Sequence, residues 1–189
     1  APHAELHHAE IGRFTDPDLG PVIAYDATQD PEACRVILGA LLGGRKLRSP
    51  DSEARFNATA VSGIRADLES RPFTGQQSNT SVIYGDRLIL KLFRRLQPGV
   101  NPDYEIGRQL TEVIGYTRVP AVTGAFEHRM TAEQPMTIGL LQQFVESQAD
   151  GWRHATDEVG RYYEDVGGTL SPSMPIPDTI SGLLGLTLP

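Results

Sequence analysis

Gly75–Phe93 reads GQQSNTSVIYGDRLILKLF, and the fold turns on how this stretch is read. Small polar residues lead into an apolar run that ends at Gly85-Asp86, a dipeptide of the tight-hairpin class, and DRLILKLF follows. Two strands joined by a hairpin are predicted. Period-two alternation puts Lys91 on the face of Ile89 and Phe93, opposite Leu90 and Leu92. Burying an ammonium group costs several kcal/mol unless it is paired, so Lys91 calls for an anion from the protein or from a ligand. A lone lysine in an arbitrary strand is more often an edge residue whose stem lies on the sheet while its head reaches water. The neighbouring segments shift that balance.

Working outward, SRPFTG upstream is a short strand and GQQSNTS a polar loop. Downstream, NPDYEIGRQLTEVIG is a helix with Asn101 as cap and Pro102 in the first turn. Its apolar positions Ile106, Leu110, Val113 and Ile114 form a stripe expected to face a sheet, with Glu105 beside the stripe and turned back toward Lys91. VPAVTGAFEHRM and QPMTIGLLQQFVE are two more strands, and DGWRHATDEVGRYYEDVG is a further helix. Nearer the N-terminus, GPVIAYDAT and EARFNATAV carry strand residues, and DPEACRVILGALLGG is a helix capped by Asp30 and ended by Gly43-Gly44. Ala33, Val36, Ile37, Ala40 and Leu41 are its expected buried face, and Cys34 beside them is read as a core thiol.

The expected architecture is α+β. Residues 1–68 form a small N-terminal cap, 69–148 a five-stranded antiparallel lobe with one main helix, and 149–189 a helix followed by a linker. The tail from Gly167 is rich in Gly, Ser and Pro and reads as a linker cut before a further lobe.

Composition narrows the function classes. Apolar residues at 39% with 22% charged are ordinary globular values, which disfavour wholesale disorder. A formal net charge of −7 argues against a nucleic-acid partner, whose footprint is normally basic. One cysteine permits no internal disulfide, no apolar run is long enough to span a membrane, and no signal-peptide layout opens the chain. A cytoplasmic protein without a membrane partner is expected. His3 and His7 have helical spacing but no carboxylate partner for a metal site.

The order strand, polar loop, strand, lysine-bearing strand, glutamate-bearing helix is the arrangement with which kinases grip ATP phosphates. Small side chains at Ser78, Thr80 and Ser81 let backbone approach a phosphate, and their hydroxyls can donate to its oxygens. Lys91 would supply a compact positive charge and Glu105 would hold it in place. The loop lacks the glycines of a GxGxxG string, so the signal lies in the ordered set rather than in the loop. LLQQFVESQADGW then stands where a kinase hinge would fall.

QSNTSVIYGDRLILKLFRRLQPGVNPDYEIGRQLTE and TIGLLQQFVESQADGW closely resemble bacterial maltokinases, especially those fused to or working with trehalose synthase. The resemblance is dense from Gln76 to Trp152 and thinner over Ile11 to Gly75. It implies a lobe similar to protein kinases and aminoglycoside phosphotransferases, preceded by a maltokinase-type cap, in an enzyme that phosphorylates maltose with ATP to give maltose 1-phosphate. In that pattern Gln77, Ser78, Asn79, Thr80 and Ser81 cover the phosphates, Lys91 contacts them, Glu105 is its ion-pair partner, and the backbone at Gln143, Phe144 and Val145 receives adenine. Arg94 and Arg95 belong to the family string, with structural anchoring as their expected use. The family's catalytic aspartate string and its metal-binding carboxylate string do not occur in these 189 residues. The Mg²⁺ ligands are therefore expected in a following lobe, and this chain alone is expected to be inactive. Two alternatives stay open: a related glucosamine or hexose kinase, and a non-catalytic module that docks on trehalose synthase or on the missing lobe.

Overall fold

The computed structural model describes residues 4–58, 64–73, 78–131, 133–146 and 151–169. Two compact units divide the chain, Ala1–Glu146 and Ser147–Pro189. The second unit is described by one helix (Gly151–Thr169), in which the Thr156 hydroxyl bonds back to the Trp152 carbonyl at 3.0 Å.

The first unit opens with a hairpin of strands β1 (Glu10–Asp16) and β2 (Gly20–Tyr25), which form a two-stranded sheet of their own. Asp16 closes its turn by accepting the amide N–H groups of Asp18 and Leu19, both at 2.9 Å. The first of these strands was not foreseen, because EIGRFTD lacks a clean apolar alternation.

Helix α1 spans Pro31–Leu42, capped by the Asp30 carboxylate on the Glu32 N–H. Its buried residues are Cys34, Leu38, Ala40 and Leu41. Ala40 and Leu41 of the stripe expected from the sequence are buried, but Val36 is 59% exposed, and Leu38, outside that stripe, is fully buried. The true seam runs through Cys34, Leu38 and Leu41, the i, i+4, i+7 positions of one helix face.

A seven-stranded antiparallel sheet makes up the rest. Its strands are β3 (Lys46–Arg48), β4 (Ser52–Ala58), β5 (Ser70–Pro72), β6 (Asn79–Tyr84), β7 (Leu88–Phe93), β8 (Val122–Met130) and β9 (Met136–Gln143), in the order β3-β4-β8-β9-β7-β6-β5. The five strands expected of the lobe are β5, β6, β7, β8 and β9. Two more join them because β4 pairs with β8 from Ser52↔Met130 to Ala58↔Gly124, and the rings of Phe56 and Phe126 stack at 4.2 Å across that pair. The segment read as a cap thus shares one sheet with the segment read as a lobe, and the contact division falls after Glu146 instead of at residue 68.

Asn79, Thr80 and Ser81, expected in a polar loop, are strand residues of β6 paired with Phe93, Leu92 and Lys91. The turn after β6 has three residues, Gly85–Arg87, with Tyr84 opposite Leu88. Gly85 sits at φ 57°, a conformation in which a side chain is strained, and the Arg87 N–H closes the turn on the Tyr84 carbonyl at 3.2 Å.

Helix α2 (Pro102–Arg108) widens into one π turn at Gln109–Val113. The Asn101 side chain caps it, and the Asn101 N–H donates to the Thr137 hydroxyl at 3.0 Å, which anchors the helix start to β9. A Cβ on Gly107 would lie 2.7 Å from Val122 Cγ2, so a glycine is required where α2 rests on β8.

Helices α1 and α2 cover opposite faces. Val82, Tyr84, Leu88 and Leu90 pack with Cys34, Leu38 and Leu41 in the main core, and the Tyr84 hydroxyl donates to the Cys34 carbonyl at 2.9 Å. Val122, under α2, lies in register with Gln142, and Gln142 with Ile89. Directly paired residues share a face, so α2 lies on the side of Ile89 and Lys91.

Candidate functional site

Lys91 occupies the middle of β7, with β6 on one side and β9 on the other. Its register partners are Ser81, 3% exposed, and Leu140, 1% exposed. One strand step toward the turn, Ile83 and Ile89 are paired and buried. Lys91 itself is half-buried, and among the described residues it makes no ion pair or hydrogen bond. The edge-strand explanation of a lysine at this point fails, because β7 is interior to the sheet.

Glu105 is not its partner. No ion pair joins the two, and Glu105 is exposed. It lines a groove of about 690 Å³ with Asn57 of β4, Glu127 of β8 and Tyr104 and Arg108 of α2, so β9 separates this groove from β7. The reason is helix phase. The apolar stripe meant to face the sheet is out in solvent, with Ile106 59%, Val113 68% and Ile114 62% exposed. Leu110 alone of that stripe is partly covered, together with Tyr104, Gly107 and Thr111. Glu105, two residues from the contact at Gly107 and about 200° around the helix, is turned away. Its setting in the first turn, together with Asp103, suits the positive end of the helix dipole.

The groove beside Glu105 holds its own polar set. Asn57 Nδ2 donates to Glu127 Oε2 at 3.0 Å, and Arg108 pairs with Glu112 at 2.8 Å. Burial, then the nearby Glu127 charge, pushes the Tyr104 phenol up from its ordinary value.

The small polar residues divide between the two faces. Ser81 faces the Lys91 side, whereas Thr80 pairs with Leu92 on the α1 side and its hydroxyl accepts from Arg94 Nε at 3.3 Å. Arg94 also donates to the Asn79 carbonyl at 3.1 Å and so ties the end of β7 to the start of β6. Ser78 is exposed at the mouth of a cleft of about 790 Å³. Gln77 lies outside the described residues.

At the hinge segment two amides are already engaged. The Gln143 N–H donates to the Ala121 carbonyl and the Phe144 N–H to the Arg87 carbonyl, each at 2.8 Å. Val145 is exposed, and its amide has no backbone partner among the described residues. The side chains of Gln143 and Phe144 line a cavity of about 420 Å³ with Ile64 and Leu88, both of which belong to the α1 face. The structure therefore brings Ser81 and Lys91 together on one face and sets Gln143 and Phe144 on the other.

Cys34 is a core thiol. Its Sγ lies 3.5 Å from the Thr28 carbonyl and 3.6 Å from that of Ala27, and burial pushes the thiol up from its ordinary value. Among the described residues no three His, Cys, Asp or Glu side chains cluster to hold a metal ion.

No family model matches the chain. Solved structures of glucosamine kinases are similar to part of it. One, in complex with glucosamine, ADP and inorganic phosphate, is 19% identical over 81% of this chain and 33% of that chain, with a TM-score of 0.49. A second structure, crystal form A of a glucosamine kinase, is 20% identical over 84% of this chain and 33% of that chain, also with a TM-score of 0.49. A third covers 88% of this chain and 39% of that one at 19% identity and a TM-score of 0.47. The chain thus spans well under half the length of the structures it matches. Likeness at this level carries no argument about activity, which has to come from the site.

Proposed function

We propose that this chain is the N-terminal, nucleotide-binding part of an ATP-dependent sugar kinase, one that phosphorylates maltose to maltose 1-phosphate in trehalose and α-glucan metabolism. The observation that carries the nucleotide reading is Lys91: a half-buried ammonium on an interior strand, beside the buried Ser81, Ile83 and Ile89, with no protein anion among the described residues. A phosphate would supply the missing countercharge. Ser81 opposite Lys91, the apolar pair one step toward the hinge and the exposed Val145 are consistent with phosphates at the lysine and adenine toward the hinge. Glu105 has no part in this reading; its carboxylate is a helix-start residue. The choice of maltose, with trehalose synthase as a working partner, rests on the motif resemblance over Gln76–Trp152, and the cytoplasmic setting on the single cysteine. Transfer itself would need the aspartate base and the Mg²⁺ carboxylates of a following lobe.

Titration of the chain with ATP and Mg²⁺, followed by amide NMR, tests the nucleotide reading. Shifts at Ser81, Lys91 and Val145 that vanish in Lys91→Ala are the expected result. Absence of any shift at millimolar ATP would sink it and favour a docking module. The sugar is tested on the polypeptide that carries this chain with its following lobe, by comparing turnover of maltose, glucosamine and glucose. Preference for glucosamine would overturn the maltose assignment and leave the nucleotide site standing.

A further inference from the structure

One cleft of the first unit is set apart from both the main core and the groove beside Glu105. It lies where β7 ends and α2 begins, has a volume of about 790 Å³, and is lined by Ser78, Phe93, Arg94, Arg95, Asn101 and Asp103 among others. Its charge is locally positive in a chain of formal net charge −7. Asp103 is the acidic side chain of the lining, and no ion pair joins it to either arginine. Arg94 is held by its bonds to Thr80 and Asn79. Arg95 is exposed and makes no ion pair or hydrogen bond among the described residues.

The position of the cleft matters as much as its charge. Along the Lys91 face of β7 the order is Ile89, Lys91, Phe93 and then the cleft. Gln142 pairs with Ile89 and Gln143 with Leu88, so the hinge segment lies at the Ile89 end. Strand rise puts Phe93 about 7 Å beyond Lys91, away from the hinge. A nucleotide with its base at the hinge and its first phosphates at Lys91 would direct the rest of its phosphate chain into this cleft. The Arg95 guanidinium suits that cargo, since it presents a planar fork that matches phosphate oxygens, whereas Arg94 is committed to Thr80 and Asn79.

We infer that the cleft between the end of β7 and the start of α2 binds the terminal phosphates of the nucleotide, with Arg95 as their cationic contact and Arg94 fixing the backbone beside it. This inference rests on the nucleotide reading of Lys91, which sets the direction of the ligand. It gives Arg95 a binding role where the sequence offered only structural anchoring.

The test uses the whole chain at one fixed ionic strength, with ATP, AMP and tripolyphosphate as separate probes and NMR detection of the arginine Nε–H groups and backbone amides. ATP and tripolyphosphate should shift Arg95 Nε–H and the Ser78 and Asn101 amides, and AMP should leave them in place. Arg95→Ala should weaken ATP and tripolyphosphate by about tenfold, leave AMP unchanged, and be partly rescued by Arg95→Lys. Arg118→Ala, an exposed arginine outside the cleft lining, serves as the control for net charge and should change neither. If ATP shifts Lys91 but not Arg95, or Arg95→Ala binds ATP like the parent chain, this inference is overturned and the nucleotide site remains. If tripolyphosphate binds and needs Arg95 while ATP gives no response at Lys91, the anion cleft stands and the nucleotide reading fails. If neither probe binds, both fall.

Discussion

The two faces of the seven-stranded sheet are drawn from alternate residues of the same strands, and they differ in kind. On the α1 face, Val82, Tyr84, Leu88 and Leu90 are all 1% exposed or less and close on Cys34, Leu38 and Leu41. On the α2 face, Ile83 and Ile89 are as apolar, but the next pair along is Ser81 with Lys91, and the pair after that is Asn79 with Phe93. One face is a closely packed apolar core. The other runs from apolar to polar along a single strand and ends in a cleft with two arginines. A fold that needed only stability would have no reason to carry the second pattern, because an unpartnered ammonium weakens a packed face.

The largest effect expected from this contrast is in the core. Leu38→Ala, at a side chain with no exposure, should cost about 2–5 kcal/mol in urea unfolding followed by circular dichroism. Lys91→Met, at a half-buried position on the interior strand β7, should leave stability unchanged or raise it, since an ammonium is exchanged for an apolar chain of similar length. A loss at Lys91 as large as at Leu38 would erase the distinction between the faces. The same Lys91→Met protein should lose ATP binding by tenfold or more in calorimetry, about the weight of one charge-assisted contact.

Next comes the response to alkali. Burial raises the Cys34 thiol, and burial raises the Tyr84 phenol as well. Both are acids held neutral by the fold, so the unfolded chain releases their protons first. Stability is then full below the thiol's ordinary value of 9.0, and it falls as pH rises through that value and the phenol's ordinary 10.0. Tyr84→Phe should flatten the phenol part of that decline, while costing about 1 kcal/mol at neutral pH for the lost bond to the Cys34 carbonyl. A variant that leaves the alkaline slope untouched would show that the α1 face is wetter than its packing implies.

The smallest effect belongs to Glu105→Gln. Because the carboxylate is exposed and faces the groove over β4 and β8, stability should change by less than about 0.5 kcal/mol and ATP affinity should not change. A tenfold loss of ATP binding would mean that the helix turns to bring Glu105 to Lys91 when nucleotide is present, and would restore the ion pair that the motif order led one to expect.

Much of this could be read before the fold was seen. The alternation in LILKLF put Lys91 with Ile89 and Phe93, and their register with Ser81, Ile83 and Asn79 keeps it so. The caps at Asp30 and Asn101 were equally plain, since side-chain oxygens at helix starts act within a few residues. What escaped was nonlocal. Leu38 lies in the buried seam and Val36 outside it because Leu38 shares a core with residues of distant strands, Phe56, Val82, Leu90 and Leu141 among them. Asn79 to Ser81 looked like loop because their side chains are small and polar, yet β7 supplies hydrogen bonds that draw them into a strand.

The residues alone determined the local periods: which stretches extend, which coil, where each helix starts, and that a lysine would sit among leucines. Those follow from steric and hydrogen-bonding preferences that operate over a turn or two of chain. Tertiary structure decided everything that depends on what lies across the sheet. It set β4 beside β8, rotated Glu105 away from Lys91, and gathered Arg94 and Arg95 with Ser78 at one strand end. Helix rotation and strand order are fixed by the burial of surfaces from distant segments, and no window of sequence contains both surfaces.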